Sequence, residues 1–336
     1  MRIRDAGRPK TPVGRPSWLR RTVMVLTMAL VLPMSVAFAG AGATANAAYN
    51  PSGFDFWVDS SMGPIKTRIF RAANGNTNRV VYALDGLRAR NDLSGWEIDT
   101  DVAAHLTRWN INVVMPVGGQ SSFYSDWIAP SNFNGQRTPY RWETFLTQNL
   151  RWALANRLGF NAYNNGVFGL SMGGSAALAL AAYHPDQFSY AGSYSGYLNI
   201  SAPGMREAMR LALLDSGGYN IDCMWGPPWD PNWLRNDPFV FAPRLRDNGT
   251  RLWISAGSGL PSPYDRVNSP IDLYHLGNAM GLEAIALLNT RAFQLRMTTL
   301  GANNAVYDFP NVGVHSWTYW QEEVFRMIPD LSAHIG

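Results

Sequence analysis

The stretch GVFGLSMGGSAALALAAYHP, Gly166 to Pro185, sets one serine among glycines, with an apolar run on one side and an alanine-rich run on the other. Gly169-Leu170-Ser171-Met172-Gly173 has the G-x-S-x-G form of a turn from strand to helix. There the backbone passes close to its neighbours and the serine hydroxyl is exposed at the top of the sheet. Gly166–Leu170 reads as a strand and Gly173–Tyr183 as a helix, so the context suits a nucleophile. The pentapeptide alone also fits a structural serine in a glycine turn.

The rest of the chain repeats the alternation. Candidate strands are Phe54–Val58, Ile65–Phe70, Val80–Leu84, Ile111–Pro116, Tyr190–Ser195, Leu252–Ala256 and Ala305–Phe309. Helix-like segments are Trp142–Arg157, Met205–Leu214, Leu273–Leu288 and Trp317–Ala333. Several strands are almost wholly apolar, as strands covered on both faces must be. The expected fold is α/β: an α/β-hydrolase with a mostly parallel central sheet and helices on both faces. Long aromatic loops, Gly118–Tyr124 and Gly217–Asp237, are of the kind that shape a site.

A serine hydroxyl needs a base, and the base needs a third group to orient it. It also needs two backbone donors for the oxyanion. One is the amide after the nucleophile, Met172, and the other comes from the loop after an earlier strand. That loop is LDGLRAR, following Val80–Leu84, and Leu87 is its natural donor. Of the histidines at 105, 184, 275, 315 and 334, His315 lies after the last strand candidate and just before the last helix, where the base belongs. The acid is left open between Asp265, Asp272 and Glu283. Generic fold logic favours the two aspartates, which follow strand Leu252–Ala256 more closely.

The amino terminus reads differently. Seven basic residues and an apolar run from Val23 to Leu32 lead to Ala45-Asn46-Ala47, the pattern of a secretory signal peptide over residues 1–47. The whole chain has 336 residues and a formal net charge of +4, but that excess belongs to the leader. The expected mature domain, 48–336, is slightly acidic, so basicity gives no reason to infer nucleic-acid binding. Cys223 is the only cysteine, which excludes an intramolecular disulfide, and it is expected to be buried. No histidine pair has metal-ligand spacing, so neither a metal nor a cofactor is expected.

Several segments together resemble the antigen 85 family of mycolyltransferases, secreted acyltransferases of mycolic-acid-bearing actinobacteria. They are LDGLRAR, SGWEIDT, VVMPVGGQSSFYSDW, RWETFLTQNL, GLSMGGSAALALAAYHPDQF, GGYNIDCMWGP, RNDP and FPNVGVHSWTYW, spanning nearly all of the expected mature chain. The resemblance implies a catalytic triad of Ser171, Glu283 and His315, with the acid falling in GLEAIALL, and oxyanion donors Leu87 and Met172. It implies sugar contacts at Asp85, Arg88, Ser316 and Trp317, with Asn199 expected among the substrate-binding residues. Asn199 stands where the family has an aspartate, Asp99 where it has an asparagine, Arg90 where it has a glutamine, and Ala256 where it often has a cysteine.

The function so implied is transfer of a mycolyl group from trehalose monomycolate to a second trehalose monomycolate, or to cell-wall arabinan, through a seryl acyl-enzyme. Implied partners are trehalose mycolates and the arabinogalactan of the envelope. A secreted carboxylesterase would use the same triad. An envelope adhesin is the reading from another class, since members of the family bind fibronectin.

Overall fold

The computed structural model describes residues 53–336, and the expected leader lies outside the described residues. Eight strands form one sheet in the order β1-β2-β4-β3-β5-β6-β7-β8. They are β1 (Phe54–Val58), β2 (Ile65–Phe70), β3 (Val80–Leu84), β4 (Asn112–Pro116), β5 (Asn165–Leu170), β6 (Phe188–Tyr194), β7 (Arg251–Ser255) and β8 (Ala305–Asp308). The β1–β2 and β2–β4 pairs are antiparallel, and every pair from β4 to β8 is parallel.

Successive side chains of a strand point to opposite faces, and both faces are apolar here. Val80, Tyr82 and Leu84 of β3 pack with the helix Met172–Tyr183, whereas Val81 and Ala83 pack with the C-terminal helix Trp317–His334. Every residue of β3, β4 and β5 is buried. Burying one large apolar side chain contributes about 1.5–3 kcal/mol, so a two-sided core makes the central strands the most firmly held part of the sheet.

Several boundaries differ from expectation, each for a local reason. The expected strand Tyr190–Ser195 ends at Tyr194, because Ser195 turns out of the strand with φ +51°. The helix expected over Leu273–Leu288 runs from Pro270 to Thr299, since the Ser269 hydroxyl accepts from the Asp272 amide at its start. The segment from Trp142 passes through a π-helical turn, Phe145–Asn149, before continuing as Leu150–Leu158. Cys223 is half-buried, on the short surface helix Asp222–Trp225, and its thiol faces Asn132.

Candidate active site

Parallel strands bring their carboxyl ends to one edge of the sheet, where ligands of open α/β folds bind. The ends of β5, β6 and β7 are stepped and tied to each other. The Ser171 amide donates to the Tyr194 carbonyl at 2.8 Å, and the Ser195 amide donates to the Ser255 carbonyl at 2.8 Å. The residues immediately after β5 and β6 are thereby each tied to the last residue of the next strand.

Ser171 occupies that edge with φ +52° and ψ −120°. A non-glycine residue at positive φ costs of order 1–3 kcal/mol, a strain that recurs where a side chain must be presented. Its flanking glycines are dictated by space. A Cβ on Gly169 would stand 2.4 Å from the Gly173 carbonyl carbon, and one on Gly173 would stand 2.5 Å from the Asp85 carbonyl oxygen. The turn is therefore pressed against the loop that follows β3.

That loop carries the second expected oxyanion donor. A Cβ on Gly86 would lie 3.7 Å from the Ser171 Cβ, so the Asp85-Gly86-Leu87 turn faces the serine. Ser121 fixes it from behind, donating its amide to the Leu87 carbonyl at 2.9 Å. Neither the Leu87 nor the Met172 amide donates to an acceptor among the described residues. Two unspent donors beside the largely buried Ser171 are what a developing oxyanion requires.

Of the three candidate acids, Glu283 meets the histidine. Its Oε2 lies 2.8 Å from His315 Nδ1, with both side chains almost fully buried. Its Oε1 accepts from the Gly257 amide at 2.6 Å and from Ser195 Oγ at 2.7 Å. The carboxylate is thus fixed by donors on both oxygens, and the His315 Nδ1 proton is fixed with it. Asp265 instead accepts from the Ser262 amide and the Tyr319 hydroxyl, and Asp272 accepts from the Asn268 amide at a helix start.

The loop of His315 is tied to the same long helix. The His315 amide donates to the Ala279 carbonyl at 3.2 Å, one turn before Glu283. His315 and Ser171 make no hydrogen bond to each other among the described residues; such bonds often tighten only around a bound substrate. Burial pushes the Tyr197 hydroxyl well above the ordinary tyrosine range; the Glu283 charge adds to this and the Ser171 side chain opposes it.

The expected sugar contacts divide into two groups. Asp85 is buried, accepting from the Ser94 hydroxyl and the Gly95 amide, both at 3.1 Å. Burial raises its carboxyl to about 7 against those hydrogen bonds. Trp317 lies across Gly95 from it, edge-on to Trp96 with ring centres 5.3 Å apart, and Ser316 precedes it at the helix start. Arg88 instead reaches Asp215 in an ion pair. Asn199 makes no hydrogen bond to any of these residues, and its carbonyl accepts the Ala202 amide of its own turn.

Sequence reasoning missed Ser195, Tyr197, Gly257 and Trp320. Trp320 donates from Nε1 to Ser195 Oγ at 2.9 Å, and its ring meets that of His315 edge-on at 4.9 Å. The only signal for Ser195 was its place at the end of a strand next to the nucleophile strand. Nothing local marks Trp320, whose partner lies 125 positions away. Among the described residues, no group of three or more His, Cys, Asp or Glu is arranged to hold a metal ion.

Comparisons with known proteins show the family. Residues 63–331 match the family model described as a putative esterase. The chain is 43% identical over 329 residues to the diacylglycerol acyltransferase/mycolyltransferase Ag85B of Mycolicibacterium smegmatis, covering 96% of this chain and 98% of that one. It is 46% identical over 258 residues to the Ag85C of Mycobacterium leprae, covering 76% of this chain and 75% of that one. Among solved structures, Mycobacterium tuberculosis MPT51 (FbpC1) superposes with a TM-score of 0.73 at 30% identity, over 84% of this chain and 99% of that one. On these matches the chain belongs to the Ag85 family of diacylglycerol acyltransferases/mycolyltransferases, within the wider group of putative esterases.

Proposed function

We propose that this chain is a serine-dependent mycolyltransferase that moves a long acyl group between trehalose esters, or from a trehalose ester to wall arabinan, in the cell envelope. The observation that carries the reading is Ser171, held at positive φ beside the unspent amides of Leu87 and Met172.

In the first half-reaction Ser171 Oγ attacks the ester carbonyl and gives its proton to His315 Nε2. Glu283 holds Nδ1–H and stabilises the imidazolium. The amides of Leu87 and Met172 hold the oxyanion. The carbon–oxygen bond to trehalose then breaks, and His315 returns its proton to the departing sugar oxygen. In the second half-reaction an acceptor hydroxyl loses its proton to His315 and attacks the acyl-enzyme. The serine oxygen leaves with that proton and the cycle closes.

Asp85, Trp317 and Ser316 bound the sugar end of the site in this reading, with Arg88 and Asn199 at its margin. The acyl chain lies along the helices Met205–Asp215 and Pro270–Thr299, which meet where Asn289 Nδ2 approaches Met205 Sδ at 3.5 Å. Leu211, Leu214 and Leu288 on these helices are exposed, and each methylene they cover is worth about 0.8 kcal/mol. Residues 1–47 act as the export signal. Among the described residues no helix is long and apolar enough to cross a membrane.

The test is an assay on a trehalose monoester with excess trehalose, quantifying diester and free acid for wild type and Ser171→Ala. Diester in excess of free acid, with both lost in the variant, is expected. Free acid alone would make the protein a hydrolase, and activity surviving the substitution would remove Ser171 from the mechanism.

A further inference from the structure

A second cleft, of about 380 Å³, opens at the far end of the helix that begins with the nucleophile turn. Its walls come from the segment 126–128, from Arg141 to Gln148, from His184 and Trp225, and from the short helix Asn232–Arg235 with Asn236. Ser171 precedes the helix Met172–Tyr183 and His184 follows it, so the two sites are separated by roughly 18 Å of helix. Nothing in the acyl-transfer chemistry uses this cleft.

Its polar groups are arranged around Glu143. One oxygen, Oε1, accepts from His184 Nε2 at 2.9 Å and from Arg235 Nη2 at 2.6 Å. Burial pushes the Glu143 carboxyl up, but the hydrogen bonds from His184 and Arg235 outweigh it and hold the group below its ordinary range. The second oxygen, Oε2, has no hydrogen-bond partner among the described residues. The Arg141 guanidinium and the Gln148 amide, both in the wall, likewise spend no side-chain hydrogen bond or ion pair within the described residues. The cleft therefore presents a fixed acceptor, a planar multiple donor, and an amide that is both.

This donor set excludes the simpler ligands. A cation would meet Arg141 and Arg235. An anion would meet Glu143 and Asp126. An apolar ligand would strip water from all of them without replacing the hydrogen bonds. Hydroxyl groups, each both donor and acceptor, satisfy the whole set with no net charge, and the volume suits one or two sugar rings.

We propose that this cleft is a second, non-catalytic carbohydrate site that binds a neutral sugar unit through Arg141, Glu143 and Gln148. The sugar is a distal unit of a glycan whose reacting hydroxyl lies at Ser171, or a free disaccharide of the same chemistry. Holding a remote unit of a polymer turns delivery of its other hydroxyls into an intramolecular event and raises their effective concentration at the catalytic site. This extension to the acceptor rests on the acyltransferase reading, whereas sugar binding in the cleft does not.

The experiment uses full-length Ser171→Ala protein, in which no turnover competes. Trehalose and an arabinan oligosaccharide, each carrying a photoreactive diazirine, are cross-linked to it in separate arms, and labelled peptides are mapped by mass spectrometry. Labelling within 141–148 and 232–236 by either sugar is expected. Trehalose alone would identify the free disaccharide as the ligand, and arabinan labelling would identify the polymer. Arg141→Ala and Glu143→Gln should each reduce this labelling about tenfold, as loss of a charged hydrogen bond predicts. Arg141 makes no ion pair, so its variant keeps the test valid if Glu143→Gln unfolds, with thermal melting as the control. Absence of label in these peptides, or labelling unchanged in a folded Arg141→Ala protein, would overturn the proposal. Because the readout is binding, its failure is distinct from failure of the transfer assay.

Discussion

Ser195 Oγ donates to Glu283 Oε1 at 2.7 Å while receiving the Trp320 indole N–H at 2.9 Å, so one hydroxyl joins the C-terminal helix to the carboxylate behind His315. The indole donor leaves the Ser195 proton one direction to point, toward Glu283. Ser195→Ala removes a hydrogen bond to a charged group, worth about 1.5–3 kcal/mol. It should lower kcat roughly ten- to hundredfold with little change in KM. Trp320→Phe keeps the ring against His315 and loses only the indole donor, so its effect should be smaller and in the same direction. Steady-state kinetics on a short soluble ester checks both, and an unchanged kcat in Ser195→Ala would make the contact merely structural.

The triad residues themselves should separate by size of effect. Ser171→Ala should lower kcat about 10⁶-fold, and Glu283→Gln about 10⁴-fold, as in other triads whose members act as a unit. Combining the two should cost no more than Ser171→Ala alone. Asp265→Asn and Asp272→Asn should leave kcat near wild type, because their carboxylates are engaged at Tyr319 and at a helix start. A large loss in either aspartate variant would reopen the choice of acid.

Much of this was legible in the sequence, and what was not has identifiable causes. The strand Val80–Leu84 and the elbow at Ser171 announce themselves through apolar runs bounded by glycine. The long helix extends past its apolar periodicity at both ends. Ser269-Pro270 is a start signal that its periodicity did not require, and the buried Asn289 and Thr290 interrupt the apolar stripe before Thr299. The helix Pro238–Asp247 has no long apolar stripe to mark it, although Asp237 caps it and Pro238 opens it. Spacing could not place the acid, because Glu283 reaches His315 from inside a helix rather than from the loop after β7. Ser195 and Trp320 are invisible to local reading because their roles arise only when distant elements meet.

The elbow glycines should be intolerant of even one carbon. A Cβ on Gly173 would stand 2.5 Å from the Asp85 carbonyl oxygen, which is backbone and cannot swing aside. Gly173→Ala must either displace the loop carrying Leu87 or shift the start of the nucleophile helix. The expected cost is about 1–3 kcal/mol of stability, visible as a lowered Tm, together with loss of transfer from a misplaced oxyanion donor. Gly277, with open space around it on the long helix, is the control, and its alanine variant should raise Tm slightly.

Stability should also depend on pH through Glu323. This residue is buried on the C-terminal helix, where Trp253 Nε1 approaches its Oε2 at 3.4 Å and Arg326 Nη1 reaches its Oε1 at 2.7 Å. Burial, reinforced by the charge of Asp308, raises its carboxyl from 4.5 to about 7, with Arg326 pulling the other way. A carboxyl raised by folding binds its proton more tightly in the native state than in the unfolded one. Its contribution is therefore fully present below the unfolded pKa, near 4.5, and is lost as pH rises through about 7. Glu323→Gln, which is always neutral, should raise Tm relative to wild type at pH 8 and change it little at pH 4. The same advantage at both values would mean that the substitution acts through packing, and a lower Tm at pH 8 would mean that the Arg326 pair outweighs burial.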